Sequence, residues 1–420
     1  MVGGCEGVTI ILRDFEITVE KLVYGGDGLG RLEGRAVLAP FLLPGERARV
    51  RGVSEKPGLL RAALLEVLDA APERVAPPCP YFTRCGGCHY QHAPYEMQLR
   101  LKRAILEDQL LRIGKIQAPQ IEVVAGEPWG YRNRVQLHIS KGALGYRESQ
   151  SRKLCPIENC PIASPAINAA IAILRGMLGD KRWPGFLRSI ELFTNETEMQ
   201  LNVLETEHPV ARRFFDWCAE RIPGLVSGAL DYQVADHTWR VSGGSFFQVN
   251  RFLIGKLVET ALDGAEGQTA LDLYAGVGLF SLALARRFVS VTAVESGARA
   301  AGDLRFNAER AGLALRVEKT DAEVWIEQLD TAPDFVLLDP PRAGIGKRMV
   351  ARLAQLRPPR LALVSCDPAT LARDLAGLLA AGYRIDQLTL VDLFPQTYHL
   401  ETVAHLSHSI QPPPSTTSPS

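Results

Sequence analysis

The sequence predicts an α/β protein in three parts, and three observations lead there. From about residue 246, strand-like apolar runs beginning near 269, 289, 315, 335, 361, 385 and 402 alternate with amphipathic stretches. That alternation is the pattern of a doubly wound, parallel Rossmann-like sheet with helices on both faces. Over roughly 10–70, short alternating runs are split by the turn signals GGDG and LLPGE, as in a small OB-like β-barrel. Between them, 71–245 opens on the Pro-rich APERVAPP and reads as a central α+β domain with clustered cysteines.

A chain of 420 residues exceeds one ordinary core, and 46% apolar with 22% charged residues describes a globular chain. No apolar stretch approaches the roughly 20 residues that span a bilayer. The N-terminus, MVGGCEGVTIILRDFE, lacks the basic flank and cleavage site of a signal peptide. A cytoplasmic protein without a membrane partner is therefore expected, and a monomer is expected beside it. The tail QPPPSTTSPS, 411–420, has no apolar anchor and is expected to be disordered. Eight cysteines in so long a chain do not make a secreted disulfide framework, and in a reducing compartment clustered cysteines bind metal or react. The formal charge is zero, so any basic surface is local.

In the barrel, RARVRGV puts Arg47, Arg49 and Arg51 on one face of a strand. Such a row is either a solvated surface or an RNA contact, and spacing alone leaves both open. After the linker, CPYFTRCGGCHYQH carries Cys79, Cys85 and Cys88 within ten residues, with Gly86 and Gly87 allowing a tight turn. Soft metal sites take four thiolates. The fourth is Cys155 or Cys160 of LCPIENCPIASP, and spacing selects neither between these two nor between zinc and iron–sulfur. From Cys79 to Cys160 there are twelve Lys/Arg against seven Asp/Glu, with Tyr131, Arg132 and Arg134 offering stacking and phosphate-directed groups.

The first unit of the C-terminal sheet is TALDLYAGVGLFSLALARRF, in which a strand ends at Tyr274, Gly276 and Gly278 form the turn and a helix follows. Glu295 ends the next strand, where a carboxylate can accept both ribose hydroxyls of a nucleoside cofactor. Asp321 and Asp339 end the third and fourth strands and Cys366 the fifth, so all four should converge beyond the carboxyl edge of the sheet. A dinucleotide site wants a small third residue where Ser281 stands, whereas an acidic crevice suits the cationic S-adenosylmethionine. In LVSCDPATLARDL a cysteine closing a strand is ordinarily a small hydrophobe. Here Asp367-Pro368 starts a helix at once, leaving the thiol at a strand-to-helix turn. The helix N-terminus is expected to increase the thiolate fraction, with the Asp367 carboxylate turned away.

The stretches DLYAGVGLF, LLDPPRAG, VSCDPATLARDL and FPQTYHLETVAHL, in this order and preceded by FFQVN, resemble the RNA uracil-5-methyltransferase family over nearly the whole chain. GGDGLGRLEGR resembles the TRAM domain, an RNA-binding barrel, and family members of the 23S rRNA type carry that domain and a Cys-x5-Cys-x2-Cys iron–sulfur motif. The likeness implies methyl transfer from S-adenosylmethionine to C5 of a uridine in RNA, rRNA rather than tRNA. It makes Cys366 the nucleophile and Glu401 the proton-abstracting base. Gln248, Tyr274, Glu295, Asp321 and Asp339 would line the donor and substrate pocket with Gly276 and Gly278. Cys79, Cys85, Cys88 and Cys160 would hold a 4Fe-4S cluster, because NCPIASP fits the family's fourth cysteine better than Cys155. An RNA cytosine-5-methyltransferase and a non-catalytic iron–sulfur RNA-binding protein are the competing readings.

Overall fold

In the computed structural model, residues 13–408 are described; the tail 411–420 lies outside them. Strands Asp14–Thr18 (β1), Lys21–Leu22 (β2), Asp27–Leu32 (β3), Arg35–Pro40 (β4), Arg47–Lys56 (β5) and Leu59–Asp69 (β6) form one curled sheet in the order β1-β5-β6-β4-β3-β2. Alternation along β5 sends Ala48 and Val50 into a core with Ile17, Val37 and Leu60, and turns Arg47, Arg49 and Arg51 outward. The flanking strands answer with carboxylates: Arg47 meets Glu16 and Asp69, Arg49 meets Glu66, and Arg51 meets Asp14. The row is therefore a solvated, ion-paired face.

Helix Tyr95–Gln109 (α1) and strand Ile121–Val124 (β7) precede the central sheet of Arg134–Ser140 (β8), Ala143–Arg147 (β9), Leu154–Pro156 (β10), Leu187–Thr194 (β11), Met199–Thr206 (β12) and Leu225–Val226 (β13). Its order is β10-β9-β8-β11-β12-β13. Helices Pro165–Met177 (α2) and Arg212–Arg221 (α3) cover it, burying Ile167, Ile171 and Leu174 of α2 and Phe214 and Trp217 of α3. A hairpin, Leu230–Val234 (β14) with His237–Val241 (β15), leads onward.

The C-terminal part runs Ile254–Ala261 (α4), Gly267–Leu273 (β16), Leu279–Leu284 (α5), Phe288–Val294 (β17), Ala298–Arg310 (α6), Arg316–Glu318 (β18), Ala322–Ile326 (α7), Phe335–Leu338 (β19), Gly346–Leu356 (α8), Arg360–Ser365 (β20), Pro368–Ala380 (α9), Tyr383–Val391 (β21) and Glu401–His408 (β22). All seven expected strands are present. With β7 added at one edge, they form an eight-stranded sheet in the order β18-β17-β16-β19-β20-β22-β21-β7. Successive side chains feed opposite faces: Leu271, Leu273, Val336, Leu338, Leu361 and Leu363 join the core beneath α8 and α9, while Ala270, Phe335, Leu337, Ala362 and Val364 join the core beneath α4 and α5. The chain turns back on itself at β16, with β17 on one side and β19 on the other.

Two features differ from the sequence expectation. The sheet is not wholly parallel, because β22 inserts antiparallel between β20 and β21. Residues 95–124, read as part of the central domain, join the C-terminal sheet instead: β7 pairs with β21, and α1 carries Ile105 and Leu106 into the same core as Leu371 and Leu375 of α9. Gly114, just after α1, lies so near α9 that a Cβ there would stand 2.7 Å from the Ala372 carbonyl.

Candidate active site

The turn between β16 and α5 needs its glycines. Tyr274, Gly276 and Gly278 all adopt positive φ, at 66, 56 and 91 degrees, and a Cβ on Gly278 would press on Leu282 and Leu304. The Glu295 carboxylate ties that turn to the next one: it accepts from Gly276 N–H at 2.9 Å and from Gly297 N–H at 2.5 Å. Ser281 also has a task that the sequence did not reveal. Its hydroxyl donates to Oδ2 of the buried Asp272, whose Oδ1 has no partner among the described residues. Burial pushes the Asp272 carboxyl up to about 7, with further help from Asp339 and Glu295. Asp321 caps α7, accepting from Glu323 and Val324 N–H. It lies near enough to Tyr274 that, after burial and Glu323, its charge helps push that phenol up to about 12.

Glu295, Asp272, Asp339, Asp321 and Tyr274 therefore gather at the carboxyl edge where the strand order reverses. An acidic crevice with an unpartnered buried carboxylate oxygen fits a cationic nucleoside ligand such as S-adenosylmethionine. Gln248 stands apart from these contacts: it is buried in the loop before α4, and its carbonyl accepts from Asn133 at 3.4 Å.

The second cluster centres on Cys366. Because β22 runs antiparallel to β20 with Ser365 opposite Thr402, Glu401 falls across from Cys366 at the same sheet edge. Asp367 caps α9, its Oδ1 accepting from Ala369 N–H at 3.0 Å and Thr370 N–H at 2.9 Å, so it is occupied away from the sulfur. The same cap consumes the N–H groups expected to favour the thiolate. Burial, then Glu401 and Asp339, push the thiol up to about 11, and Arg342 acts in the opposite sense. These neighbours act against the expected gain in thiolate. Glu401 is buried and its carboxyl is raised, by burial first and by Asp339 second; burial likewise raises Asp339.

Two neighbours of Cys366 were missed. Arg342 lies within LLDPPRAG, which should have drawn attention to it, and it approaches His399 Nδ1 at 3.4 Å. Tyr24 comes from the barrel, where nothing local hints at a catalytic neighbour; its hydroxyl donates to the Cys366 carbonyl at 3.4 Å and its ring meets Tyr398 edge-on.

Cys79, Cys85, Cys88 and Cys160 line one cavity of about 290 Å³, with His89, Arg132 and Tyr398 also on its wall. Cys155 does not line it: fully buried on β10, it belongs to the central core. Burial raises the Cys85, Cys88 and Cys160 thiols, and neighbouring cysteines raise them further. Among the described residues no three side chains converge at single-ion distance. A four-iron cluster, whose ligands bind separate irons, does not require such convergence. Of the expected RNA-facing trio, Tyr131 and Arg134 are buried and bonded to Pro395 and Ser245 carbonyls. Arg132 alone reaches the cavity.

Comparison with known proteins agrees with this geometry. A family model described as tRNA (Uracil-5-)-methyltransferase matches residues 224–409, and one for the TRAM domain matches 13–65. The 23S rRNA (uracil(1939)-C(5))-methyltransferase RlmD of Pectobacterium atrosepticum is 35% identical over 94% of this chain and 94% of its own. An Aquifex aeolicus protein described as an uncharacterized RNA methyltransferase is 32% identical over 94% of this chain and 98% of its own. The crystal structure of Pyrococcus abyssi tRNA (uracil-54, C5)-methyltransferase with S-adenosyl-L-homocysteine superposes with a TM-score of 0.76 at 29% identity, covering 93% of this chain and 99% of that one. The chain belongs to the family of S-adenosylmethionine-dependent RNA (uracil-5-)-methyltransferases.

Proposed function

We propose that the chain methylates C5 of a uridine in 23S rRNA through a covalent bond between Cys366 and C6. The observation that carries this reading is the register of β20 and β22, which brings Cys366 and Glu401 to one end of adjacent strands. S-adenosylmethionine supplies the electrophilic methyl group when bound. The Cys366 thiolate adds to C6, making C5 an enolate carbon able to attack that methyl. C5 then carries both methyl and proton. Glu401 removes the proton, and the electron pair expels the thiolate. Burial raises the proton affinity of the Glu401 carboxyl, which makes its carboxylate the stronger base for that step.

The N-terminal units support binding. The relatives acting on 23S rRNA favour rRNA, while the tRNA enzyme of Pyrococcus abyssi spans the N-terminal units as well, so their presence alone selects neither RNA. A groove on the central sheet is lined by Lys141, Arg147, Arg152 and Lys153, none of which has a carboxylate partner among the described residues. Arg147 and His138 also line the adjoining cleft, which reaches Tyr398 and Tyr24, whose hydroxyl meets the Cys366 carbonyl. This continuous path suits an RNA strand entering the site. The proposed division is a barrel over 10–70, a central unit within 71–245 holding a 4Fe-4S cluster on Cys79, Cys85, Cys88 and Cys160, and a catalytic unit over 246–410 completed by 95–124. The cluster would tie the cysteine turn to the loop after β10; methyl transfer requires no electron.

The test is incubation of 23S rRNA and tRNA transcripts with labelled S-adenosylmethionine, followed by nucleoside mass spectrometry. We expect 5-methyluridine in the rRNA. Cys366→Ala abolishes methylation and adduct together. Glu401→Gln lowers turnover by about 100- to 10,000-fold while protein accumulates joined to methylated RNA. Turnover near normal without trapped adduct assigns the proton transfer elsewhere, with Asp339 the next group to change. 5-Methylcytidine would select the cytosine reading instead.

A further inference from the structure

The segment 392–400 returns the chain from β21 to Glu401 at the start of β22, and it is buried although irregular. Asp392, Gln396 and Thr397 are 1 to 2% exposed, and Gln396 holds φ at 68 degrees. A buried loop must find partners for its carbonyls. Four consecutive ones here draw donors from distant segments. Leu393 O accepts from Asn250 Nδ2 at 3.1 Å, Phe394 O from Lys102 Nζ at 2.9 Å, and Pro395 O from the Tyr131 hydroxyl at 3.0 Å. Gln396 O accepts from His89 and Tyr90 N–H at 2.8 and 3.0 Å.

Helix α1 adds the side-chain grip. Lys102, fully buried, donates to Asp392 Oδ1 at 2.5 Å as well as to Phe394 O. Gln98 and Gln396 bond reciprocally: Gln98 Nε2 donates to Gln396 Oε1 and Gln396 N–H donates to Gln98 Oε1, both at 2.9 Å. A buried ammonium is costly, and a methionine would fill the same volume. What the ammonium adds is geometry, since one group fixes a carboxylate at the head of the loop and a carbonyl two residues on. The residues directly after Cys88 grip the same loop from the other side.

We infer that Lys102 and Gln98 are positioning residues for the reaction, holding the 392–400 loop and through it the place of Glu401 beside Cys366. The inference rests on the reading of Glu401 as the base. Proton abstraction from C5 demands a carboxylate within hydrogen-bond reach, and a misplacement of about 1 Å costs on the order of 100-fold. Attack by Cys366 and methyl transfer precede that demand.

The experiment compares Lys102→Met and the double variant Lys102→Met/Asp392→Leu, in which an apolar pair replaces the ion pair and no charge is left buried alone. Adduct on denaturing gels, methyl incorporation in the first turnover, product release and RNA affinity are measured alongside Glu401→Gln. We expect first-turnover methylation near the native rate, RNA affinity unchanged, release slowed about 10- to 100-fold, and methylated RNA accumulating on the protein. All steps falling in equal proportion without adduct would show a merely structural role and overturn the inference. So would release at the native rate from the double variant. If Glu401→Gln traps nothing, the base assignment fails and the inference fails with it; if it traps adduct while the Lys102 variants do not, only the inference fails.

Discussion

The surroundings of Cys366 favour the protonated thiol over the thiolate. Its position at a strand end was legible from Ser365-Cys366-Asp367-Pro368, because an apolar run that meets Asp-Pro has to stop and start a helix. Its protonation was not legible, because that depends on Asp367 filling the helix N–H groups and on two carboxyls from other strands. The sign follows from those neighbours. Burial and negative charge both favour the protonated form, so the thiol titrates at about 11 rather than at the usual 9.0. Below pH 9 little of it is thiolate, and alkylation at Cys366, read by peptide mass spectrometry on RNA-free protein, should keep rising through pH 10. Glu401→Gln removes one negative neighbour and should move the midpoint downward. A plateau reached by pH 8.5 in the native protein would show the thiol already activated.

At the level of elements, the strands that alternate with helices were readable, because each carries its own apolar run between turn signals. The four-residue β7 was not. IEVV lies between Pro-containing loops and joins a sheet edge whose other strands begin more than a hundred residues later, a pairing that leaves no local mark. The cysteine set shows the same division. Spacing singled out Cys79, Cys85 and Cys88 but left Cys155 and Cys160 open, and the fold places those two in different surroundings. On β10, Cys155 points into the central core, while Cys160 sits in the following loop with its N–H on Asn168 Oδ1 at 2.8 Å and its side chain in the cavity. Anaerobically purified Cys160→Ser should lose the iron and the visible absorbance, whereas Cys155→Ala should retain both and lose only stability. Loss of iron from Cys155→Ala with retention in Cys160→Ser would reverse the ligand set, and one equivalent of zinc in the native protein would replace the cluster by a single ion.

Across the whole molecule a formal charge of zero conceals two opposite arrangements of arginine and lysine. On the barrel, Arg47, Arg49 and Arg51 face carboxylates on both neighbouring strands, and phosphate would have to displace those partners. On the central sheet, Lys141, Arg147, Arg152 and Lys153 share a groove without such partners, and the adjoining cleft reaches Tyr24 and Tyr398. Sequence alone does not separate the two sets, since a cation reads the same whether or not the fold places an acid opposite it. Unpaired cations release condensed counterions from RNA when they bind, so they set the salt dependence of affinity, by about 0.7 in log–log slope for each phosphate neutralised on a single strand. Changing the four groove residues to Gln should therefore flatten the slope by about 3 and weaken binding at low salt. Changing the three barrel arginines to Gln should leave the slope near that of the native protein. Filter binding of one rRNA fragment from 50 to about 300 mM salt distinguishes the two sets. An unchanged slope in the groove variant, or a larger loss in the barrel variant, would move the RNA path from the central sheet to the barrel face.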